Sequence, residues 1–188
     1  MADLRVARSE LIVGGQKSGK TARAESLAAA WLERSPSHRA VYIATAQAWD
    51  DEMKERIARH RSDRARRVPG MATVEEPLEL VRAIAAHSRE DTLVVVDCLT
   101  LWLTARLLPA AGDATGVPDD GLACSAIAAA AGPLVLVSNE IGWGVVPMGR
   151  ETRAFVDALG RLNQQAAQAC ERVTLMAAGL PLTLKGEA

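Results

Sequence analysis

The sequence predicts an α/β fold, a mostly parallel sheet with helices on both faces. Three observations predict it. Short apolar runs alternate with helical stretches along the chain, the order expected of β-α-β units. The run Thr92–Asp97 is continuously apolar and reads as a strand buried on both faces, and Pro133–Ser138 reads likewise. Hydrophobic residues make up 49% of the 188, mostly Ala, Leu and Val, against 3% aromatic, which suits a helix-rich α/β protein better than an all-β one. A chain of this length is expected to fold as one domain over residues 1–188.

The elements follow in order. A first strand over about Glu10–Val13 runs into a glycine-rich turn and a helix over about Gly19–Glu33, whose alanine-rich body has strong helix propensity. Ser35-Pro36-Ser37 ends that helix, and Ala40–Ala44 is the second strand. A polar helix spans about Asp50–Arg67, with Asp50, Asp51 and Glu52 in the first turn, where negative charge suits the helix dipole. Pro69-Gly70 breaks the chain before a short strand, Ala72–Glu75. Pro77 fits the first turn of a helix reaching about Ser88. After strand Thr92–Asp97 come a helix over Leu99–Leu108, a Gly/Pro/Asp-rich loop over Pro109–Asp120 expected to be disordered, and a short helix over Leu122–Ala131. Strand Pro133–Ser138, a glycine-rich loop over Gly142–Gly149 and a long helix over Arg150–Cys170 complete the alternation. Arg172–Ala177 is a further strand, and Leu180–Leu184 is read as an edge strand.

The first turn carries the strongest motif, Gly14-x-x-x-x-Gly19-Lys20-Thr21, placed between a buried strand and a helix. Backbone N–H groups there can surround phosphate oxygens, helped by the positive end of the helix. Lys20 would reach the β- and γ-phosphates, and the Thr21 hydroxyl would bind Mg2+. The motif gives the predicted fold its type: P-loop NTPase-type (RecA-like).

Formal net charge is −1, so no global field points to nucleic acid or an anionic membrane. The cysteines Cys98, Cys124 and Cys170 lie far apart with no CxxC pair, which argues against structural zinc and for reduced thiols. The opening Met-Ala-Asp-Leu-Arg has no apolar h-region, and no apolar run reaches the ~18 residues of a membrane span. A cytoplasmic protein without membrane insertion is expected.

Asp97 ends an apolar strand, where P-loop proteins place the carboxylate of the magnesium shell; capping the helix near Leu99 is the plainer use of it. The helix after the second strand carries Lys54, Arg56, Arg59, Arg61, Arg64, Arg66 and Arg67 against only Glu55 and Asp63 between Lys54 and Arg67. Met53, Ile57, His60 and Arg64 recur at helical spacing and so share one face. Surrounding guanidinium groups favour a neutral His60, leaving a ring nitrogen free as nucleophile or acceptor, and they could hold a polyphosphate against it. A solvated basic face with an incidental histidine is the plainer account. Nucleic-acid binding is disfavoured by the absence of an aromatic platform. His38 and His87 are read as surface residues. Asn139 and Glu140 end a strand beside the expected ligand crevice and are candidate binding residues. Trp143 suits either a large apolar ligand or packing, and Arg153 and Arg161 lie on the helix that follows. Asn163, a poor helix former in mid-helix, hints at a specific hydrogen bond.

Several of these segments resemble one family in order and context. They are Gly14–Thr21, Tyr42-Ile-Ala-Thr45, Asp51-Glu52-Met53 with Arg56-Ile57 and His60-Arg61, Asp97-Cys-Leu-Thr-Leu-Trp102, and Asn139-Glu-Ile-Gly-Trp-Gly-Val-Val-Pro147. The chain, from about Leu11 to Lys185, is similar to the bifunctional adenosylcobinamide kinase/adenosylcobinamide-phosphate guanylyltransferases of cobalamin biosynthesis. The resemblance implies that a nucleoside triphosphate, ATP or GTP, phosphorylates adenosylcobinamide. GTP would then pass GMP to a histidine, here His60, and the substrate phosphate would attack that intermediate to give adenosylcobinamide-GDP. It implies catalytic His60 and Lys20, and nucleotide contacts at Gly14, Gly15, Gln16, Lys17, Ser18, Gly19, Lys20 and Thr21. Further contacts map onto Ala44, Thr45, Ala46, Arg61, Ser62, Asp63, Arg64, Glu75 and Asp97. It implies Mg2+ on Thr21 and Asp97, a small corrinoid substrate, no nucleic acid partner, and a homotrimer. The chain departs from its relatives' usual pattern at Lys17, Thr21 and Arg59, and its Pro109–Gly132 region is short. The alternative activity is a P-loop small-molecule kinase without nucleotidyl transfer.

Overall fold

The structure, a computed structural model, describes residues 4–48, 50–108 and 122–187, without the side chains of Arg56, Leu122 and Ala123. The expected loop over 109–120 lies outside the described residues. The elements are β1 (Ser9–Gly14), α1 (Lys20–Glu33), β2 (Arg39–Ala44), α2 (Asp51–Arg67), β3 (Ala72–Glu75), α3 (Leu80–His87), β4 (Thr92–Asp97), α4 (Leu99–Leu107), α5 (Leu122–Ala129), β5 (Leu134–Val137), α6 (Arg150–Ala169), β6 (Arg172–Ala177) and β7 (Leu180–Lys185). They form one seven-stranded sheet in the order β3-β2-β4-β5-β1-β6-β7. Pairing is parallel except between β6 and β7. The predicted α/β architecture is the observed one.

Strand side chains alternate between two cores, which is why the central strands are apolar throughout. Leu11, Val13, Val94, Val96, Leu134 and Leu136 pack on one face with Leu80 and Ile84 of α3, Leu99, Trp102 and Leu103 of α4, and Leu159 and Leu162 of α6. Ile12, Tyr42, Leu93, Val95, Val135 and Val137 pack on the other with Ala24, Leu27 and Ala28 of α1 and with Val68 just past α2. Fully burying one such leucine stabilises the fold by roughly 1.5–3 kcal/mol. β1 leaves toward β2 through α1 on one face, while β5 leaves toward β6 through α6 on the other. The crevice of a doubly wound sheet therefore opens between β1 and β5, beyond their carboxyl ends.

Two expectations are corrected. α3 begins at Leu80, not at Pro77. Glu76 Oε1 accepts the N–H groups of Leu78 (3.0 Å) and Glu79 (2.9 Å), so a side-chain turn occupies the residues after Pro77. α5 stops at Ala129, short of Ala131, because the N–H groups of Ala131 (2.8 Å) and Gly132 (3.2 Å) are taken by the Ser88 hydroxyl.

Glu10 is a charge inside the sheet. It is fully buried in β1, accepts the Thr174 hydroxyl at 2.8 Å, and lies 3.5 Å from Arg172 and 3.9 Å from Arg23. Removing the carboxylate leaves two guanidinium groups without their counter-ion. Glu10→Ala is expected to lower unfolding stability by about 3–5 kcal/mol, read from the urea midpoint at constant m.

Candidate active site at the carboxyl edge of the sheet

Parallel pairing brings the carboxyl ends of six strands, β1 to β6, to one edge. Ala44 stands opposite both Glu75 and Asp97, Asp97 opposite Val137, and Val137 opposite Ile12, two residues before Gly14. The glycine-rich turn, Asp97, Glu75 and Asn139 therefore lie along that edge.

The turn needs its glycines. At Gly14, φ is +149°, and a Cβ would lie 2.4 Å from the Met176 carbonyl oxygen and 2.8 Å from the Ser18 hydroxyl. At Gly19, φ is +103°, and a Cβ would lie 3.2 Å from Gly179 Cα. Gly179 closes the β6–β7 hairpin and donates its N–H to the Ser18 carbonyl at 3.0 Å, so the hairpin tip braces the turn. Gly14→Ala is expected to store about 1–3 kcal/mol of backbone strain. It should also weaken GTP binding about tenfold or more, measured by titration calorimetry.

Lys20 opens α1 and turns its ammonium back into the turn. Nζ donates to the carbonyls of Gly14 (3.0 Å) and Gly15 (2.6 Å) and lies 3.5 Å from the Ser18 hydroxyl. Burial lowers its pKa, while Asp97 pulls it the other way. Gly15, Gln16 and Lys17 are exposed at the mouth of the turn, with Lys17 at φ 57°.

The Thr21 hydroxyl donates to Asp97 Oδ2 at 2.7 Å. Asp97 does not cap α4, whose N-cap is Cys98 with no side-chain cap bond. A hydroxyl and a carboxylate meeting beside a phosphate turn are oxygen donors of the kind a hard divalent cation takes alongside water and phosphate. Tyr42 also donates to Asp97 Oδ2 at 2.7 Å. The Tyr42 pKa is held well above its ordinary value, first by burial and then by the Asp97 carboxylate. Thr45 is fully buried; its hydroxyl donates to the Cys98 carbonyl and accepts the Cys98 N–H, both at 2.7 Å, and its own N–H donates to the Asp97 carbonyl at 3.1 Å. Ala44 and Ala46 flank it at the same edge, half-buried.

α2 carries His60 next to Arg61, which faces Glu75 of this edge, and its residues differ in exposure. Met53 and Ile57 are half-buried, His60 is exposed, and Arg64 is buried with its guanidinium 3.8 Å from the Tyr42 ring centroid. Arg64 Nε and Nη2 reach the Thr73 hydroxyl at 3.3 and 3.2 Å. Arg64 keeps the helical spacing of the His60 stripe, but an aromatic partner below the helix end takes its guanidinium inward. Arg61 faces Glu75 at 3.8 Å, both exposed; Ser62 is exposed, and Asp63 pairs with Arg66. Arg67 meets Glu25 of α1 at 2.9 Å. No described side chain from Asp51 to Asp63 is buried.

At the far side of the crevice, mid-helical Asn163 is buried and makes the predicted specific bonds. It accepts the Ser138 hydroxyl at 2.6 Å and donates to the Asn139 carbonyl and to Glu140 Oε1, each at 3.0 Å. Asn139 is held by the Thr100 hydroxyl, and the Glu140 N–H reaches the Gly14 carbonyl at 3.2 Å. Glu140 thus joins the β5 end to the phosphate turn. Trp143 is 74% exposed with Val145 and Met148 almost fully so, which removes the packing account of the tryptophan. Arg153 holds the loop end through the Pro147 and Met148 carbonyls, and Arg161 is exposed. His38 is half-buried, stacked 3.8 Å from Trp31, and His87 is half-buried, so neither is the simple surface residue expected.

Sequence reasoning placed the turn, Asp97 and His60, but missed Tyr42 as a site residue. Its signal was a lone polar-tipped aromatic in a buried strand. Cys98 and Cys170 are buried thiols with pKa pushed up to about 12, first by burial, and are unsuited as nucleophiles. Among the described residues no cluster of three His, Cys, Asp or Glu could hold a metal, and no helix is long and apolar enough to cross a membrane.

Comparison with known proteins adds the family. The profile described as cobinamide kinase / cobinamide phosphate guanyltransferase matches residues 10–184. The chain is 48% identical to the bifunctional adenosylcobalamin biosynthesis protein CobP of Pseudomonas aeruginosa, over 95% of this chain and 98% of the relative. It is 36% identical to the bifunctional adenosylcobalamin biosynthesis protein CobU of Escherichia coli and 32% identical to that of Salmonella typhimurium, each over 93% of this chain and 98% of the relative. With a phosphate turn and a hydroxyl–carboxylate pair at one sheet edge and an exposed histidine on α2, the chain belongs to the cobinamide kinase / cobinamide phosphate guanyltransferase family.

Proposed function

We propose that one phosphate turn serves two transfers on adenosylcobinamide. In the first, the aminopropanol hydroxyl oxygen attacks the γ-phosphorus of ATP or GTP. The bond to the β-phosphate oxygen breaks, the diphosphate leaves, and the hydroxyl proton is released. In the second, a His60 ring nitrogen attacks the α-phosphorus of GTP and pyrophosphate leaves. An oxygen of the adenosylcobinamide phosphate then attacks that phosphorus, breaking the P–N bond and giving adenosylcobinamide-GDP. Splitting the transfer this way replaces one difficult displacement by two easier ones.

The carrying observation is the position of α2. His60 is exposed, and the next residue, Arg61, faces Glu75 at the carboxyl edge that also holds the phosphate turn and Asp97. Gly14–Thr21 would cradle the phosphates, with Lys20 neutralising them. Thr21 and Asp97 would hold Mg2+, which when bound offsets charge developing on the phosphoryl oxygens. Glu75, Arg61 and the Ala44–Ala46 segment would line the nucleotide. The exposed apolar loop with Ile141, Trp143, Val145, Val146 and Met148 would receive the corrinoid beside Glu140. The reading includes a homotrimer in the cytoplasm, and exposed Leu180, Leu182 and Leu184 on edge strand β7 suit such assembly.

The test is labelling. Protein incubated with [α-³²P]GTP should retain acid-labile, alkali-stable label, whereas [γ-³²P]GTP should leave none. Folded protein that takes no α-label would refute the guanylyl-histidine and leave a P-loop kinase.

A further inference from the structure

Tyr42 is the chain's one tyrosine, buried in β2, and it touches both halves of the site. Its hydroxyl donates to Asp97 Oδ2 at 2.7 Å, the oxygen that Thr21 also meets at 2.7 Å. Its ring carries the Arg64 guanidinium 3.8 Å from the centroid, and Thr73 fixes that guanidinium from the β3 side. A phenylalanine would fill the same space without a buried hydroxyl to satisfy, so the hydroxyl is not required for packing. Two donors on one carboxylate oxygen fix the orientation of the whole group. A planar guanidinium stacked on a buried ring is a firm mooring for the end of a polar helix that has few others.

We propose that Tyr42 is a positioning residue for both transfers. Its hydroxyl aims the Asp97 carboxylate at Thr21, and its ring seats Arg64, the anchor of the helix that carries His60. The proposal rests on reading Asp97 as the metal-site carboxylate.

Tyr42→Phe separates the two roles, because it deletes the hydroxyl and keeps the ring. Mn2+ binding in the presence of a non-hydrolysable GTP analogue, read by electron paramagnetic resonance, needs no turnover. The expected result is Mn2+ affinity about tenfold weaker, with α-label uptake restored by excess metal. Tyr42→Leu should bind Mn2+ as weakly and also label more slowly at saturating metal. Arg64→Lys, which keeps charge but loses the planar stack, should slow labelling without weakening Mn2+. Circular dichroism melts confirm that each variant is folded. If Asp97→Asn loses Mn2+ while Tyr42→Phe binds it like wild type, the proposal falls and the metal reading stands. If Asp97→Asn also binds like wild type, both fall. If Arg64→Lys labels at the wild-type rate, the seating role is overturned.

Discussion

A His60→Ala protein will take up no label from [α-³²P]GTP and make no adenosylcobinamide-GDP, yet still phosphorylate adenosylcobinamide. If His60 is the covalent nucleophile proposed above, its loss should cost the guanylyl transfer about 10⁴-fold or more. His60 is exposed on α2, so unfolding stability should change little. The kinase step should survive because Thr21 meets Asp97, and Lys20 lies in the turn, without it. The measurement is a paired one, γ-transfer to the corrinoid and α-transfer to protein, on the same preparation. Parallel loss of both would mean that His60 is needed for phosphate binding rather than for attack.

Lys20→Met will give the opposite pattern, in which both transfers fall together by about 10²–10³-fold. The ammonium lies among the Gly14 and Gly15 carbonyls and the Ser18 hydroxyl, at the point where phosphate oxygens would meet the turn. Methionine keeps the length and apolar stem and loses the charge together with its N–H donors, so the change separates the ammonium's contribution from packing. Lys20→Arg should not rescue, since the wider planar group does not fit a cradle shaped for a point charge. Single-turnover rates of each transfer at saturating nucleotide would check this. A deficit confined to γ-transfer would mean that the two reactions do not share the turn.

Most of the fold was legible because the central strands are short, largely apolar runs bounded by turn residues. β4 and β5 are buried on both faces, and continuous hydrophobicity is what that environment demands. The phosphate turn was legible because its chemistry is local, resting on consecutive glycines, a lysine and a hydroxyl. What sequence reading missed depends on particular side-chain partners, one local and the others far along the chain. Pro77 is a good first-turn residue, and only the Glu76 side chain shows why the helix waits until Leu80. Arg64 falls on the His60 stripe by spacing, and only the ring of Tyr42, 22 residues earlier, shows why it turns inward. Glu10 and Arg172 are charged residues inside apolar strands, and their meeting follows from β1 lying beside β6. Asn163 announced itself because asparagine in mid-helix carries a local cost that only a tertiary bond repays.

The way α2 is fastened has a mechanical consequence. Its last turns are pinned by Arg64 and Arg67, while the rest of the helix lies along the surface. At a rise of about 1.5 Å per residue, Asp51 is about 20 Å from Arg64, whereas His60 is about 6 Å away. A rigid swing of about 10° about that pivot would carry the tip about 3 Å but the histidine only about 1 Å. The helix is a lever with its reactive group close to the fulcrum. On the proposed chemistry, a small displacement of its tip would leave the His60 ring nearly in register with the phosphates.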